Sequence, residues 1–156
     1  MTESKSERDA RRNAGLGDIY VNTSSEPWIN FSPGIDFKLL RTSQETGAWT
    51  VLFKCAAGSS FARHEHLAAG EYLLISGKME LRGGVERGGV TAFPGDYGFE
   101  ANGTWHDETN FPEETVLYFT NFGPIRFVDD DDNTQVVLDY KMLRAVAAAG
   151  QAKLAA

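Results

Sequence analysis

The sequence predicts an all-β fold, a double-sheet barrel or jelly roll, with one helix at its C-terminal end. Short segments alternate between apolar and polar residues with the period of two that strands require, and glycine-rich turns separate them. No helical pattern lies between these segments, which favours a sandwich or barrel over a fold of alternating strands and helices. The predicted strands are residues 18–21, 28–31, 35–41, 48–56, 60–66, 71–76, 78–81, 90–93, 96–99, 104–109, 115–120, 125–128 and 135–139.

The clearest strand spans residues 48–56, where every second side chain is apolar: Trp49, Val51, Phe53 and Cys55. These side chains share one face of the strand and predict a wall of the barrel core. Cys55 is therefore expected to be a core residue rather than a nucleophile, since free cysteine is commonly buried. Residues 140–155 are rich in alanine and carry an apolar stripe, which predicts a helix over an end of the barrel or at a subunit contact.

Length and composition limit the classes of protein to consider. A chain of 156 residues is expected to form one domain, here residues 18–156, preceded by a polar arm, residues 1–17, that is disordered or a short frayed helix. The formal net charge of −7 argues against nucleic acid as a partner. The sequence has no apolar run of the roughly 18 residues that a membrane helix needs. A single cysteine and the absence of a signal-peptide pattern predict a cytoplasmic protein.

The stretch from Gly58 to Gly77 contains two histidines at a spacing that suits a metal site. If the chain is extended there, His64 and His66 point to the same side, because side chains alternate along a strand. The third and last histidine of the sequence is His106, and it is the expected third ligand. Three imidazoles suit iron, zinc, copper or nickel alike, so the metal stays open at this point.

The spacing of Gly58, His64, His66, Glu71 and Gly77 resembles the first motif of the cupin superfamily, and Gly88 to Pro94 with a later histidine resembles the second. Three segments resemble sequences of the acetylacetone dioxygenase group, which cleaves β-diketones. They are FKCAAGSSFARHEHLAAGEYLLISGKMELRGG, YGFEANGTWH and NFGPIRFVDD. Relatives of that group include cupins that cleave 2,4'-dihydroxyacetophenone. The resemblance covers roughly residues 49–128 and implies a single cupin double-stranded β-helix.

The same resemblance implies how the metal is held. In that group three histidines alone bind Fe(II), which here corresponds to His64, His66 and His106, although zinc or another divalent transition metal is not excluded. In many other cupins the glutamate at the position of Glu71 is a fourth ligand. The resemblance implies a supporting role for Glu71, with ligation as the less favoured alternative, because oxygen activation needs open metal positions.

Two further groups of residues are implied around the metal. A hydrophilic shell, with proposed catalytic roles, corresponds to Tyr72, Arg82, Glu100 and Thr109, and a buried arginine–glutamate pair within it would orient the ligands. The substrate pocket is expected to be lined by Phe61, Leu117, Phe119 and Asn121, the last three on one face of a strand. The acetylacetone-cleaving relative has aromatic residues at the positions that match Phe61, Leu117 and Asn121. Leu117 and Asn121 depart from it and predict a wider, more polar pocket.

The function that the resemblance implies is an Fe(II)-dependent dioxygenase that cleaves a carbon–carbon bond of a small β-diketone or hydroxyketone with O2. Two alternatives remain open on the sequence: a non-catalytic zinc-binding cupin sensor, and a metal-dependent isomerase or epimerase. The expected partners are a small ketone substrate and O2. A homodimer or homotetramer is expected as well, because a small double sheet has edges to protect.

Overall fold

The computed structural model describes residues 4–7 and 19–156 of the chain. Residues 5–7 are helical, and residues 1–3 and 8–17 of the predicted N-terminal arm lie outside the described residues. The strands are β1 Ile29–Ser32, β2 Ile35–Thr42, β3 Trp49–Cys55, β4 Ser60–Phe61, β5 His64–His66, β6 Gly70–Ser76, β7 Met79–Leu81, β8 Val90–Ala92, β9 Tyr97–Glu100, β10 Trp105–His106, β11 Thr109–Asn110, β12 Thr115–Asn121, β13 Ile125–Val128 and β14 Thr134–Leu138. A 3₁₀ turn spans Val85–Arg87, and helix α1 spans Tyr140–Ala155.

The strands form three sheets in which every pair is antiparallel. The six-stranded sheet has the order β1-β2-β3-β12-β6-β9, and the two four-stranded sheets have the orders β10-β5-β13-β14 and β4-β11-β7-β8. Their apolar inner faces share one core, as antiparallel sheets with one buried face require. The predicted all-β class with a C-terminal helix is confirmed.

Strand β3 forms the centre of the large sheet, between β2 and β12. Its alternation places Trp49, Val51, Phe53 and Cys55 in the core, each at most 4% exposed. Burial, with a smaller contribution from the charge of Asp36, raises the pKa of the Cys55 thiol. The thiol therefore stays protonated and packs as a small apolar group, as its place in the alternation predicts.

Two predicted strands are each broken in two. Residues 60–66 divide into β4 and β5, and residues 104–109 divide into β10 and β11. The two segments run antiparallel side by side, so that β4 pairs with β11 in one sheet and β5 pairs with β10 in another. Both segments of the chain thus pass from one sheet to another at the same place, and no local sequence signal marks this crossing.

The predicted strand at residues 18–21 is wrong for its described part, residues 19–21, which are not in a strand. Ile19 and Tyr20 are 57% and 91% exposed, so their side chains gain little from packing. The next residues turn instead, because the Asn22 side chain accepts a hydrogen bond from the Ser24 amide at 3.1 Å.

Helix α1 packs against β1 and β2 of its own chain. It begins after Asp139, whose side chain accepts a hydrogen bond from the Met142 amide at 2.8 Å and so caps the first turn. Leu143 and Ala147 are its buried side chains. No helix within residues 4–7 and 19–156 has the length and apolar character that crossing a membrane takes.

Gly150 of α1 lies against Ile29 of β1, and its substitution tests this packing. A Cβ at Gly150 would lie 2.2 Å from Cγ2 of Ile29. Replacing glycine by alanine inside a helix ordinarily stabilises by about 1 kcal/mol, whereas overpacking costs about 1–3 kcal/mol. Gly150→Ala is therefore expected to lower the free energy of unfolding, measured by urea denaturation.

The matched control is Ala148→Gly at an exposed position of the same helix, which should destabilise by about 1 kcal/mol through helix propensity alone. A gain of stability in Gly150→Ala would show that α1 does not pack closely on β1.

Candidate metal centre

The three histidines converge at the place where β5 pairs with β10. Alternation along β5 puts His64 and His66 on one face, and the register of β10 sets His106 directly opposite His64. All three imidazoles are buried, at 5%, 1% and 4% exposure. Their ring centroids are 5.2, 5.0 and 5.1 Å apart, nearly an equilateral triangle. One nitrogen of each ring lies within 4.8 Å of the other two, as ligands around one ion would.

Backbone geometry fixes the orientation of His64. Its Nδ1 lies 2.7 Å from the carbonyl oxygen of Ala62, which can only accept a hydrogen bond, so Nδ1 carries the proton. The lone pair is then on Nε2, which faces His106 at 3.2 Å from its Nδ1. Burial is the main reason why the pKa of His64 falls to about 4, and the backbone hydrogen bond opposes it only in part. The ring is thus neutral near pH 7, the form that binds metals.

Burial also lowers the pKa of His106, although the nearby charge of Glu100 opposes this effect. Glu100 is the acid beside the histidines: its side chain is 10% exposed, and Oε2 lies 3.1 Å from Nε2 of His66. Oε1 lies 3.8 Å from Nε2 of His106. Burial alone would raise the pKa of Glu100, but the contact with His66 and the neighbouring imidazoles lower it below its usual value. The carboxylate is therefore ionised near pH 7.

One buried atom of the site lacks a hydrogen bond. Nε2 of His66 is fully enclosed and has no hydrogen-bond partner among the residues that the structure describes, although the Glu100 carboxylate is close. Such an atom is costly unless a cation or donor satisfies it. Three imidazole nitrogens beside one carboxylate form a donor set that suits a divalent transition metal. The residues present therefore fit the metal that the sequence predicts, without choosing among metals.

Glu71 points away from the histidines. It belongs to the face of β6 opposite to Tyr72, and its carboxylate accepts a hydrogen bond from the Tyr97 hydroxyl at 2.7 Å. Because side chains alternate, Glu71 cannot reach the site while Tyr72 lines it. The structure thus places the site carboxylate on β9, at Glu100, and not at the glutamate of the first motif.

The predicted hydrophilic shell is brought together in part. Tyr72 and Thr109 are buried, at 5% and 3% exposure, and line the same cavity as Glu100. Burial raises the pKa of Tyr72 to about 12, and the charges of Glu100 and Asp96 add to the effect. The ring of Tyr72 lies across Gly98, where a Cβ would come within 2.2 Å of it. Glycine at this position of β9 therefore makes room for the tyrosine.

Arg82 is placed differently from the expectation. It is exposed, has a left-handed φ of 51°, and does not form an ion pair with Glu100. Its amide donates to the carbonyl of Glu108 at 3.0 Å, which ties the end of β7 to the chain between β10 and β11. The buried arginine–glutamate pair considered from the sequence does not form, because the turn after β7 directs Arg82 outwards.

A largely apolar cavity lies over the histidines. Of the predicted pocket residues, Phe61, Leu117 and Phe119 line it. Asn121 does not; it is fully buried, and both ends of its carboxamide are hydrogen-bonded elsewhere. Residues that the sequence reasoning missed also line the cavity, and only the three-dimensional fold brings them there: Phe31, Trp49, Phe53, Met79, Ile125, Phe127 and Leu138.

The outer side of the centre is held by a stack of three side chains, Arg63, Trp105 and Arg126. The two guanidinium groups lie 5.1 and 5.3 Å from the ring centroid of Trp105. Arg126 also forms a close ion pair with Glu65 of β5, at 2.6 Å. Because Trp105 precedes His106 on β10, this stack fastens the two-residue strand that carries the third imidazole.

Comparison with known proteins agrees with this geometry. The model of the family described as ChrR cupin-like domain matches residues 16–126. The chain belongs to this cupin-like family. An acetylacetone-cleaving enzyme from Acinetobacter johnsonii is 47% identical over 117 residues, which are 72% of this chain and 76% of that protein. The cupin fold and the resemblance to the acetylacetone dioxygenase group are therefore confirmed.

Solved structures give the same result. The crystal structure of an acetylacetone dioxygenase from Acinetobacter johnsonii matches with a TM-score of 0.82 at 40% identity, over 86% of this chain and 93% of that one. A suggested acetylacetone dioxygenase from Methylibium petroleiphilum PM1 matches with a TM-score of 0.82 at 37% identity, over 95% of this chain and 99% of that one. The likeness thus extends well beyond the metal-binding motifs.

Removal of the third imidazole tests the centre. His106→Ala is expected to abolish tight metal binding, because the remaining two imidazoles cannot complete the donor set. Metal content after dialysis, measured by inductively coupled plasma mass spectrometry on protein whose fold is checked by circular dichroism, gives the result. Glu108→Gln, an exposed neighbour, is the control and should retain its metal. Full metal occupancy in His106→Ala would contradict the assignment of three histidine ligands.

Proposed function

We propose that this protein is an Fe(II)-dependent dioxygenase that cleaves a carbon–carbon bond of a small β-diketone or hydroxyketone. The observation that carries the proposal is the buried triangle of His64, His66 and His106 beneath an apolar cavity, in a chain 47% identical to an acetylacetone-cleaving enzyme. The comparisons favour this function over the zinc sensor and the isomerase that the sequence left open. Zinc or another divalent transition metal remains the alternative to iron at the site.

The proposed ligands are Nε2 of His64, the buried and unpartnered Nε2 of His66 and one nitrogen of His106. Fe(II) bound there would supply Lewis acidity for the two ketone oxygens and electrons for the reaction with O2. Three neutral ligands leave further coordination positions open, which a chelating diketone and O2 both need. Glu71, on the opposite face of β6, is left out of the ligand set.

The remaining side chains of the cavity have complementary proposed roles. Glu100 is ionised and lines the cavity, so it is the group proposed to accept the acidic proton between the two carbonyls of the substrate. Tyr72 stays protonated, since its pKa is about 12, and can donate a hydrogen bond to a substrate oxygen. The Thr109 hydroxyl is buried and has no partner among the described residues, and it is proposed as a second such donor.

The walls of the cavity set what enters it. Phe61, Leu117 and Phe119 exclude water and suit the apolar ends of a small ketone. Arg82 is exposed at the end of β7 and does not belong to the residues that line the cavity, so no contact with substrate is proposed for it. Asn121, whose carboxamide is engaged elsewhere, has no proposed contact with substrate.

Oxygen uptake tests the function directly. Protein stripped of metal and reloaded with Fe(II) without air is offered acetylacetone, an aryl β-diketone and 2,4'-dihydroxyacetophenone in turn, with zinc-loaded protein as the control. We expect uptake of O2 with at least one substrate, in a one-to-one ratio with a carboxylic acid product, and none with zinc. If a fully iron-loaded protein consumed no oxygen with any of the three, the dioxygenase proposal would be wrong.

We also propose that the protein is a homodimer or homotetramer in the cytoplasm. Four large side chains on the outer face of β6 and β9 are 43% to 62% exposed: Leu73, Ile75, Tyr97 and Phe99. These four residues are called the apolar face. In the six-stranded sheet β9 is an edge strand, paired only with β6. An apolar face beside an open edge is typical of an interface, and a second copy presents the same face. The single buried cysteine agrees with a reducing compartment.

The oligomer proposal is tested by sedimentation equilibrium. The double variant Leu73→Lys with Ile75→Lys places two charges in the apolar face without touching the cavity, and it is expected to shift the protein towards monomer. Val85→Lys is the control, because Val85 is 67% exposed in the turn between β7 and β8. Either a monomeric wild-type protein or an unchanged mass in the double variant would rule out this face as the interface.

A further inference from the structure

The last residue of β12, Asn121, has a carboxamide that is completely buried and hydrogen-bonded at both ends. Its Nδ2 donates to the carbonyl oxygen of Gly123 at 2.7 Å, and its Oδ1 lies 3.1 Å from Nδ1 of His66. Its exposure is 0%, and that of His66 is 1%, so water cannot replace either contact. The side chain thus connects the turn after β12 to one of the three imidazoles.

The orientation of this carboxamide follows from what it contacts. The Gly123 carbonyl can only accept, so the amide group of Asn121 that faces it must be the NH2 group. The opposite orientation would leave two oxygens 2.7 Å apart with no hydrogen between them. Nε1 of Trp49 donates to the same carbonyl at 3.0 Å and holds it in place. Oδ1 of Asn121 therefore faces His66.

The orientation of Asn121 determines the proton of His66. Because Oδ1 can only accept a hydrogen bond, Nδ1 of His66 must carry the proton. The lone pair is then on Nε2, the enclosed atom that faces the Glu100 carboxylate and lacks a hydrogen-bond partner in the described part of the chain. We propose that Asn121 is a positioning residue that holds His66 in the Nδ1–H tautomer and so presents Nε2 to the metal. The proposal rests on the metal centre proposed above.

Without Asn121 the opposite tautomer would be favoured. Glu100 lies 3.1 Å from Nε2 of His66, so a proton on Nε2 would be donated in a hydrogen bond to the Glu100 carboxyl group. That proton would occupy the nitrogen that the metal needs. Asn121 opposes this outcome through a neutral hydrogen bond made at the other side of the ring. At His64 the backbone carbonyl of Ala62 likewise keeps the proton on Nδ1 and leaves the lone pair on Nε2.

Gly70 provides the space for this arrangement. It pairs with Asn121 across β6 and β12. A Cβ at Gly70 would lie 2.5 Å from Oδ1 of Asn121 and 3.5 Å from Cε1 of His66. A side chain there would therefore displace the carboxamide from the imidazole, which explains glycine at this position of β6.

Nuclear magnetic resonance of the metal-free protein tests the proposal. With 15N-labelled histidine, long-range proton–nitrogen correlation identifies which ring nitrogen of His66 is protonated. We expect the Nδ1–H tautomer in the wild type. Asn121→Leu, similar in volume but unable to accept a hydrogen bond, is expected to move the proton to Nε2 and to weaken Zn(II) binding by about 10- to 100-fold, as loss of a ligand's hydrogen-bond partner typically does.

Two further variants complete the test. Asn121→Asp keeps an acceptor towards His66 and is expected to retain the Nδ1–H tautomer even if it is less stable. Asn102→Leu, at an exposed turn, is the control for the substitution itself and should change neither readout. A proton on Nε2 of His66 in the metal-free wild type would overturn the proposal, and so would a folded Asn121→Leu variant with unchanged tautomer and Zn(II) affinity.

These readouts do not depend on turnover. If the tautomer and the metal affinities are as expected but the iron-loaded protein consumes no O2, the dioxygenase proposal fails while the role of Asn121 stands. If Asn121→Leu does not fold, the spectra of the wild type and of Asn121→Asp still test the proposal, because His66 is expected to be the Nδ1–H tautomer in both.

Discussion

The pairing of β5 with β10 is the constraint on which the whole site depends. These strands contain three and two residues, and their register alone sets His106 opposite His64. Strands this short contribute few backbone hydrogen bonds, so their position depends on side chains around them. The stack of Arg63, Trp105 and Arg126 holds them from outside, and the core of the barrel supports them from inside.

The charge balance of the centre explains why a cation belongs there. Burial lowers the pKa values of His64 and His106, that of His64 to about 4, while the pKa of the adjacent Glu100 lies below its usual value. The buried site thus sets imidazole nitrogens beside one carboxylate, and an enclosed negative charge is costly without an opposite partner. A divalent metal satisfies the donors and the charge together. The apolar walls strengthen this attraction because they exclude water.

The sequence predicted those features that depend on local pattern. Alternation placed His64 and His66 on one face, and His106 followed because the chain has only three histidines. The break between Phe61 and His64 that moves the chain to another sheet has no such signal, since it depends on pairing with a distant segment. The sequence predicted Asn121 as a pocket residue on the same face as Leu117 and Phe119, but it does not line the cavity. A carboxamide on an inner face can line a cavity or bond to a neighbour, and only the positions of Gly123 and His66 decide between these roles.

Anomalous diffraction from crystals of the metal-loaded protein would locate the bound ion and its ligands. We expect one strong peak between the three imidazoles, about 2.0–2.1 Å from a nitrogen of each if zinc is used. That nitrogen should be Nε2 in His64 and His66, and the Glu71 carboxylate should lie outside the coordination sphere. A peak held by only two of the histidines, or one coordinated by Glu71, would show that the three histidines are not the ligand set.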